Sequence, residues 1–182
     1  MKRFIVFAVA VMSFGFYHSA SAQLVGNAGG QGFTFIDNEL GSFHSGGIGV
    51  SFGGDYFIQP NIGIGVNLGG NYLFDGTDGD DIGATYLIPI QAQMKFFLTG
   101  DYEEGGFHIT PQAGFQFLTI EISSFGGASQ TYTNGGYGFG GRVGYQIEQF
   151  DIAATFSTGR ILGDTNDAYT SVGLAVSYLL FR

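Results

Sequence analysis

The stretch Ile62-Gly63-Ile64-Gly65-Val66-Asn67-Leu68-Gly69-Gly70-Asn71-Tyr72-Leu73-Phe74 decides the fold. Ile62, Ile64, Val66, Leu68, Tyr72 and Phe74 share one parity, and Gly63, Gly65, Asn67, Gly69 and Asn71 share the other. Successive side chains of a strand point to opposite faces, so alternation sustained over this length predicts a β-strand and no helix. The same period governs three other stretches. Ile48, Val50, Phe52, Gly54 and Tyr56 alternate with Gly47, Gly49, Ser51, Gly53 and Asp55. Tyr86, Ile88, Ile90, Ala92, Met94 and Phe96 alternate with Leu87, Pro89, Gln91, Gln93 and Lys95. Tyr137, Phe139, Val143, Tyr145 and Ile147 alternate with Gly138, Gly140, Arg142, Gly144 and Gln146.

Working outward, the pattern predicts eight strands, at about 24–36, 44–58, 62–74, 84–98, 107–120, 136–148, 150–161 and 168–181. The first is the weakest, because Gly26, Gly29, Gly30 and Gly32 blur its alternation. Connections alternate in length. Gln59-Pro60-Asn61 and Glu148-Gln149 are tight, whereas 75–83 and 121–135 are long, polar and glycine-rich. The Thr99 to Gly106 turn is long for its place. Many of these strands exceed the ~5–6 residues usual in soluble sheets.

The chemistry of the two faces then selects an architecture. A soluble strand sets an apolar face against a charged one; here the second face is mostly Gly, Ser, Asn and Gln. Small and polar residues suit a narrow interior, and the apolar face suits lipid. That is the inside-out pattern of a membrane barrel, which must close because hydrocarbon cannot satisfy a free strand edge. The expected fold is an all-β, eight-stranded, antiparallel, up-and-down transmembrane β-barrel. Aromatic residues near the strand ends are expected to form two interfacial belts. One belt includes Tyr72, Phe74, Tyr86, Phe117, Tyr132 and Tyr137; the other includes Tyr56, Phe57, Phe96, Phe97, Tyr102, Phe107, Tyr145, Phe150, Tyr178 and Phe181. A secreted β-sandwich with the same aromatics in its core is the rival fold.

Composition narrows the function. There are 33 glycines in 182 residues but only three prolines, so a collagen repeat is excluded. Hydrophobic residues at 45% and aromatics at 16% argue against disorder. With no cysteine, the chain has no disulfide, thiolate metal site, cysteine nucleophile or lipidated cysteine. Six Lys and Arg against fifteen Asp and Glu make nucleic acid an unsuitable partner.

Lys2 and Arg3 precede an apolar run from Phe4 to Phe16, and Ala20-Ser21-Ala22 follows as a small-residue cleavage site. This order reads as a secretory signal peptide over 1–22, leaving 23–182 as the barrel. The apolar run is too short for a membrane-spanning helix. The mature part keeps Lys95, Arg142, Arg160 and Arg182 as its only cations with all fifteen carboxylates.

The chain ends Ser177-Tyr178-Leu179-Leu180-Phe181-Arg182. A last strand closing on an aromatic resembles the assembly signal of bacterial outer-membrane barrels. Two departures stand out: Arg182 follows the Phe, and Phe181 has the opposite parity to Val172, Leu174, Val176, Tyr178 and Leu180, a mismatch that a bulge or frayed end would correct. The strand Tyr86-Leu87-Ile88-Pro89-Ile90 through Lys95-Phe96-Phe97 resembles the aromatic-x-Ile-Pro strand of a known family. Pro111-Gln112-Ala113-Gly114 supports the resemblance. The family is that of small bacterial outer-membrane β-barrels, described as the outer membrane protein beta-barrel domain or porin family. The chain is broadly similar to the OmpA membrane domain and to OmpW-like eight-stranded barrels over about 24–182. The resemblance implies an integral barrel in a Gram-negative outer membrane and no particular transport specificity. The partners it implies are outer-membrane lipid, lipopolysaccharide and the barrel assembly machinery.

Candidate chemistry is sparse. Gly63, Gly65 and Gly69, with Gly70 beside them, superficially match a nucleotide loop. No helix follows, and relief of interior crowding explains the glycines of inward parity. Asp75, Asp78, Asp80 and Asp81 crowd one external loop. Carboxylates bind divalent cations, yet EF-hand spacing fails at Ile82 and Pro89, so a solvated acidic loop is expected. His44 and Ser45 are adjacent on a strand, hence on opposite faces, and cannot be base and nucleophile. His108 shares its parity with Gln112 and Gln116. Lys95, Arg142 and Asp151 have inward parity with Gln91, Gln93, Gln112, Gln116 and Gln146. An inward charge must be paired or hydrated, so these residues are expected to form a polar network that fills the barrel. No catalytic residue, metal site or cofactor is expected. The expected role is structural or surface-interacting. A narrow porin-like channel for small or apolar solutes is the alternative, and a lipid-modifying enzyme is a third reading.

Overall fold

The computed structural model describes residues 23–38, 44–75, 82–123, 129–163 and 167–181. They form eight strands: β1 (Gln23–Asn38), β2 (His44–Gln59), β3 (Ile62–Asp75), β4 (Ile82–Phe97), β5 (Gly105–Ser123), β6 (Ser129–Ile147), β7 (Phe150–Ile161) and β8 (Ala168–Phe181). Each strand pairs antiparallel with the next, and β8 pairs with β1 to close the barrel. A closed barrel has no free sheet to stack on another, so the sandwich is excluded. The segment 1–22 lies outside the described residues.

β5 and β6 run past their expected ends at 107–120 and 136–148. Their ladder continues from Leu118↔Asn134 to Ser123↔Ser129. β6 meets β7 only from Gly136 onward, so above that point β6 has no partner on its β7 side among the described residues, while β5 stays paired with β4 as far as Ile82↔Ile122. Gln130 to Gly135 are all exposed there. Exposed on both faces, this stretch of β6 has no apolar alternation to betray it.

The wall is inside-out. On β3, Val66 is 64% exposed while Asn67 is 3% exposed; on β5, Phe115 is 68% exposed and Gln116 only 1%. The outer face carries Ile48, Val50, Phe52, Phe139, Ile152 and Leu174 among many exposed apolar side chains. Inward glycines relieve crowding. A Cβ on Gly63 would meet the Phe57 ring at 3.0 Å, one on Gly69 would meet Pro89 at 2.9 Å, and one on Gly65 would overlap the Asp55 carboxylate.

Three aromatics expected in a belt lie inside instead. Phe57 and Phe97 have inward parity on their strands, and Tyr102 turns back under the barrel. Together with Val25 and Leu179 they form a buried apolar layer at the end carrying the tight turns. A second layer of Leu73, Leu87, Leu118, Ile161 and Tyr169, flanked by Phe33, Phe35 and Ile120, closes the end carrying the long loops. The interior therefore holds apolar stoppers at both ends. The outward aromatics keep their places near the rims, as in the Tyr72–Tyr86 and Phe150–Tyr178 ring pairs.

The register of β8 against β1 shifts between Gly26 and Asn27, so Gly26 faces Phe181 while Asn27 faces Leu179. This irregularity skips Leu180 and lays the Phe181 ring over Gly26, where any Cβ would collide with it. Gly26 has the outward parity of Leu24, so the bulge moves Phe181 onto the outer face.

Candidate functional site

Between the two apolar layers lies a band of polar side chains. Each strand sends alternate residues inward, and the register sets their heights. Gln146 faces Asp151 across the β6–β7 ladder, and Asp151 faces Ser177 across β7–β8. Lys95, from β4, crosses the lumen. Its Nζ donates to Asp151 Oδ2 at 2.6 Å and to Gln146 Oε1 at 3.2 Å. His108 Nε2 lies 3.0 Å from the same Asp151 oxygen. Gln112 Nε2 donates to Gln93 Oε1 and Gln93 Nε2 to Asp55 Oδ1, both at 2.7 Å. Higher up, the Tyr169 hydroxyl donates to Gln116 Oε1. Gln31 Nε2 donates to Asn71 Oδ1 at 2.6 Å, and Asn71 Nδ2 to the Leu87 carbonyl at 3.1 Å.

Arg142 stands between the two halves of this band, lining both a cavity of about 60 Å³ towards the loop end and one of about 20 Å³ towards the turn end. Gln91 lines the larger one. Arg142 interacts through space with Asp151 and Asp55. Among the described residues inside the wall, Lys95 and Arg142 thus balance Asp55 and Asp151 in formal charge. The larger cavity has room for a few waters and the smaller for about one, by the usual ~10–15 Å³ requirement for a water site.

Chemically, the turn-end cavity holds one suggestive arrangement. His108 Nδ1 is 3.2 Å from Thr110 Oγ1, so hydroxyl, imidazole and carboxylate stand in a row from Thr110 through His108 to Asp151, the last step an ion-pair approach without hydrogen-bond geometry. Nucleophilic triads have that order. Here Thr110 is 3% and His108 1% exposed, and the space beside them admits about one water. No acyl substrate fits. Among the described residues, no group of three His, Asp or Glu side chains could hold a metal.

The eight network residues named from sequence fall in or beside this band. Lys95, Asp151 and Gln146 meet directly, Gln93 and Gln112 meet each other, Gln116 meets Tyr169, and Arg142 and Gln91 line the larger cavity. Asp78, Asp80 and Asp81 lie outside the described residues; Asp75 ends β3 opposite His44. His44 is buried and Ser45 exposed, on opposite sides of the wall.

Solved structures of the same shape include several barrels. Ail, the attachment invasion locus protein of Yersinia pestis, superimposes with a TM-score of 0.63 at 13% identity, covering 86% of this chain and 97% of Ail. Neisserial surface protein A gives 0.59 at 15% identity, covering 87% and 98%. The N-terminal β-barrel domain of Pseudomonas aeruginosa OprF gives 0.55 at 14% identity, covering 87% and 100%. In fold, the chain is similar to these outer-membrane barrels. No protein-family model matches the sequence. No curated protein matches it either.

Sequence reasoning missed Asp55, Tyr102 and Tyr169, and it left His108 alone. Asp55 was visible as an inward-parity carboxylate on the same face as Gly53. Tyr102 lies in a turn, where alternation says nothing. Burial, and the Glu103 carboxylate that accepts its hydroxyl proton at 3.0 Å, hold the Tyr102 phenol above its ordinary pKa. Tyr169→Phe removes the donor to buried Gln116 and is expected to cost roughly 1–3 kcal/mol, read as a shift of the urea midpoint of the barrel refolded in lipid vesicles.

Proposed function

We propose that the chain is an integral outer-membrane barrel with a structural or surface-interaction role, without transport or catalysis. The observation that carries this reading is the sealed interior: hydrogen-bonded polar side chains closed off by an apolar layer at each end. A conducting pore needs a continuous wet path, and both layers interrupt it. The apolar outer face supports placement in lipid, since exposed apolar patches of this extent mark membrane or partner contact.

In this reading residues 1–22 direct export and are removed. The barrel assembly machinery receives the last strand, and lipid and lipopolysaccharide surround the wall. Short turns face the periplasm and the longer connections face outward, as in outer-membrane barrels generally. The outward connections carry Glu39, Asp78, Asp80, Asp81 and Asp164, so the presented surface is acidic. Attachment, the role in Ail's name, is one form that a surface interaction takes.

The test is to refold residues 23–182 into lipid, verify a heat-dependent gel mobility shift, and record planar-bilayer currents. The expected result is a shift without discrete current steps. Regular ohmic steps from protein that keeps the mobility shift would establish the channel instead. Folding without detergent or lipid would remove the membrane assignment.

A further inference from the structure

β6 outruns β7. On its β5 side the ladder runs from Gly105↔Ile147 to Ser123↔Ser129. On its β7 side the ladder stops at Gly136↔Ile161, followed by one bond from Leu162 N to the Gly135 carbonyl at 2.8 Å. Among the described residues, no backbone hydrogen bond reaches the β7 side of β6 between Ser129 and Asn134. In an antiparallel sheet, successive residues turn their N–H and C=O to alternate sides. Gly135 bonds towards β7, so Thr133 and Thr131 point the same way, with no strand to meet them. Gln130 to Asn134 are all exposed.

This edge carries none of the usual guards. Edge strands are commonly protected by lysine, proline or a bulge. From Ser129 to Asn134 there is no charge and no proline, and the β5–β6 register has no shift. Thr131 and Thr133 share one face and Gln130 and Tyr132 the other, a mixture of β-branched and aromatic residues that suits a cross-strand neighbour.

Charge selects among strands. Glu121 faces Thr131 across the ladder and is exposed. A strand docked on the vacant side lies about 10 Å from β5, two interstrand spacings. Thr131 is short, so a lysine or arginine opposite it reaches over to the Glu121 carboxylate. Asp167, whose carbonyl accepts from Ile161 N at 2.9 Å, adds a second carboxylate beside the end of β7. A second copy of the chain is a poor occupant, because it brings the same glutamate and the same excess of carboxylates.

We propose that residues 129–134 of β6 form a strand-addition site: an extended basic segment of another protein pairs with Thr131 and Thr133 and sets a cationic side chain on Glu121. The site deepens the surface-interaction role proposed above, on which it rests. Backbone bonds supply the attachment, and Glu121 supplies the preference.

Thr131→Pro blocks the edge and spares the barrel. The N–H it removes points to the vacant side, so no β5 bond is lost, and the ring obstructs an incoming strand. The barrel refolded in lipid nanodiscs is titrated with the fluorescent peptide Lys-Thr-Val-Lys-Val-Thr-Lys, followed by anisotropy. Loss of one or two backbone bonds is expected to weaken binding about tenfold in T131P, with the heat-dependent mobility shift retained. The same peptide with its three central amides N-methylated keeps its charge and is expected to bind about tenfold more weakly to the wild type. Glu121→Gln is expected to weaken the plain peptide about threefold. Equal binding of plain and N-methylated peptides would show adsorption to an acidic surface and overturn the proposal. So would equal affinity for T131P, or no binding to folded wild type. An affinity unmoved by E121Q would overturn the basic preference. A wild-type dimer in sedimentation that T131P loses would give the edge to a second copy and overturn the partner named here. Should T131P not refold, the N-methylated comparison decides alone. The wild-type mobility shift separates the two readings: if it is kept and the peptide does not bind, only this site falls; if it is absent, the barrel reading falls and this site with it.

Discussion

Lys95→Met is expected to lower sharply the temperature at which the refolded barrel loses its compact gel mobility. The ammonium is 7% exposed and shares Asp151 Oδ2 with His108. Removing one partner of a buried pair typically costs about 3–5 kcal/mol, because the other charge is left uncompensated. His108 remains within 3.0 Å of Asp151, which places the loss towards the lower end of that range. Gln146 also loses the donor to its carbonyl. The double variant Lys95→Met, Asp151→Leu removes both charges and is expected to recover much of the loss, since apolar replacement of a buried pair is often neutral. Bilayer current should not change in either variant. A large change in current with unaltered heat resistance would mean that Lys95 lines a pore and that the network reading is wrong.

Gly140→Val is expected to abolish most refolding. Gly140 faces inward on β6, opposite Ser157 of β7. A Cβ there would overlap the Phe156 carbonyl oxygen and lie 2.9 Å from Ser157 Cα. Both obstacles are backbone, so no rotamer change relieves them. Overpacking usually costs ~1–3 kcal/mol, and more where neighbours cannot yield. Gly32→Ala is the control. Nothing lies within 4 Å of its Cβ position, so its effect should stay within about 0.5 kcal/mol. The fraction of compact band after refolding, measured side by side, distinguishes the two. Equal yields would show that the interior has slack at Gly140.

The alternation of Ile62 to Phe74 made β3 and the orientation of the wall legible, because period two assigns every residue to a face. The same rule carried Lys95, Arg142 and Asp151 inward. It could not bring them together. Asp151 meets Lys95 across the lumen, 56 positions away in sequence, and only strand register and barrel diameter set that distance. Parity also put Phe57, Leu73, Leu87 and Phe97 inside, but closeness to strand ends drew the aromatics towards belts. What decides between belt and stopper is the height at which each inward residue sits once the barrel closes. The start of β6 was hidden for a different reason: Gln130 to Gly135 are all exposed, so that stretch has no pattern to keep.

Seven of the barrel's ladders join strands that are neighbours in the chain; the eighth joins Ala28 to Tyr178 and Thr34 to Val172. Each hairpin can zip from its own short connection, whereas the eighth must bring together strands at opposite ends of the barrel sequence. Loop-closure entropy and contact order make such pairing slow. The kinetic consequence is that β1 and β8 are expected to pair last, leaving two edges open to a second chain until they do, and the Phe181 ring over Gly26 packs across that final seam.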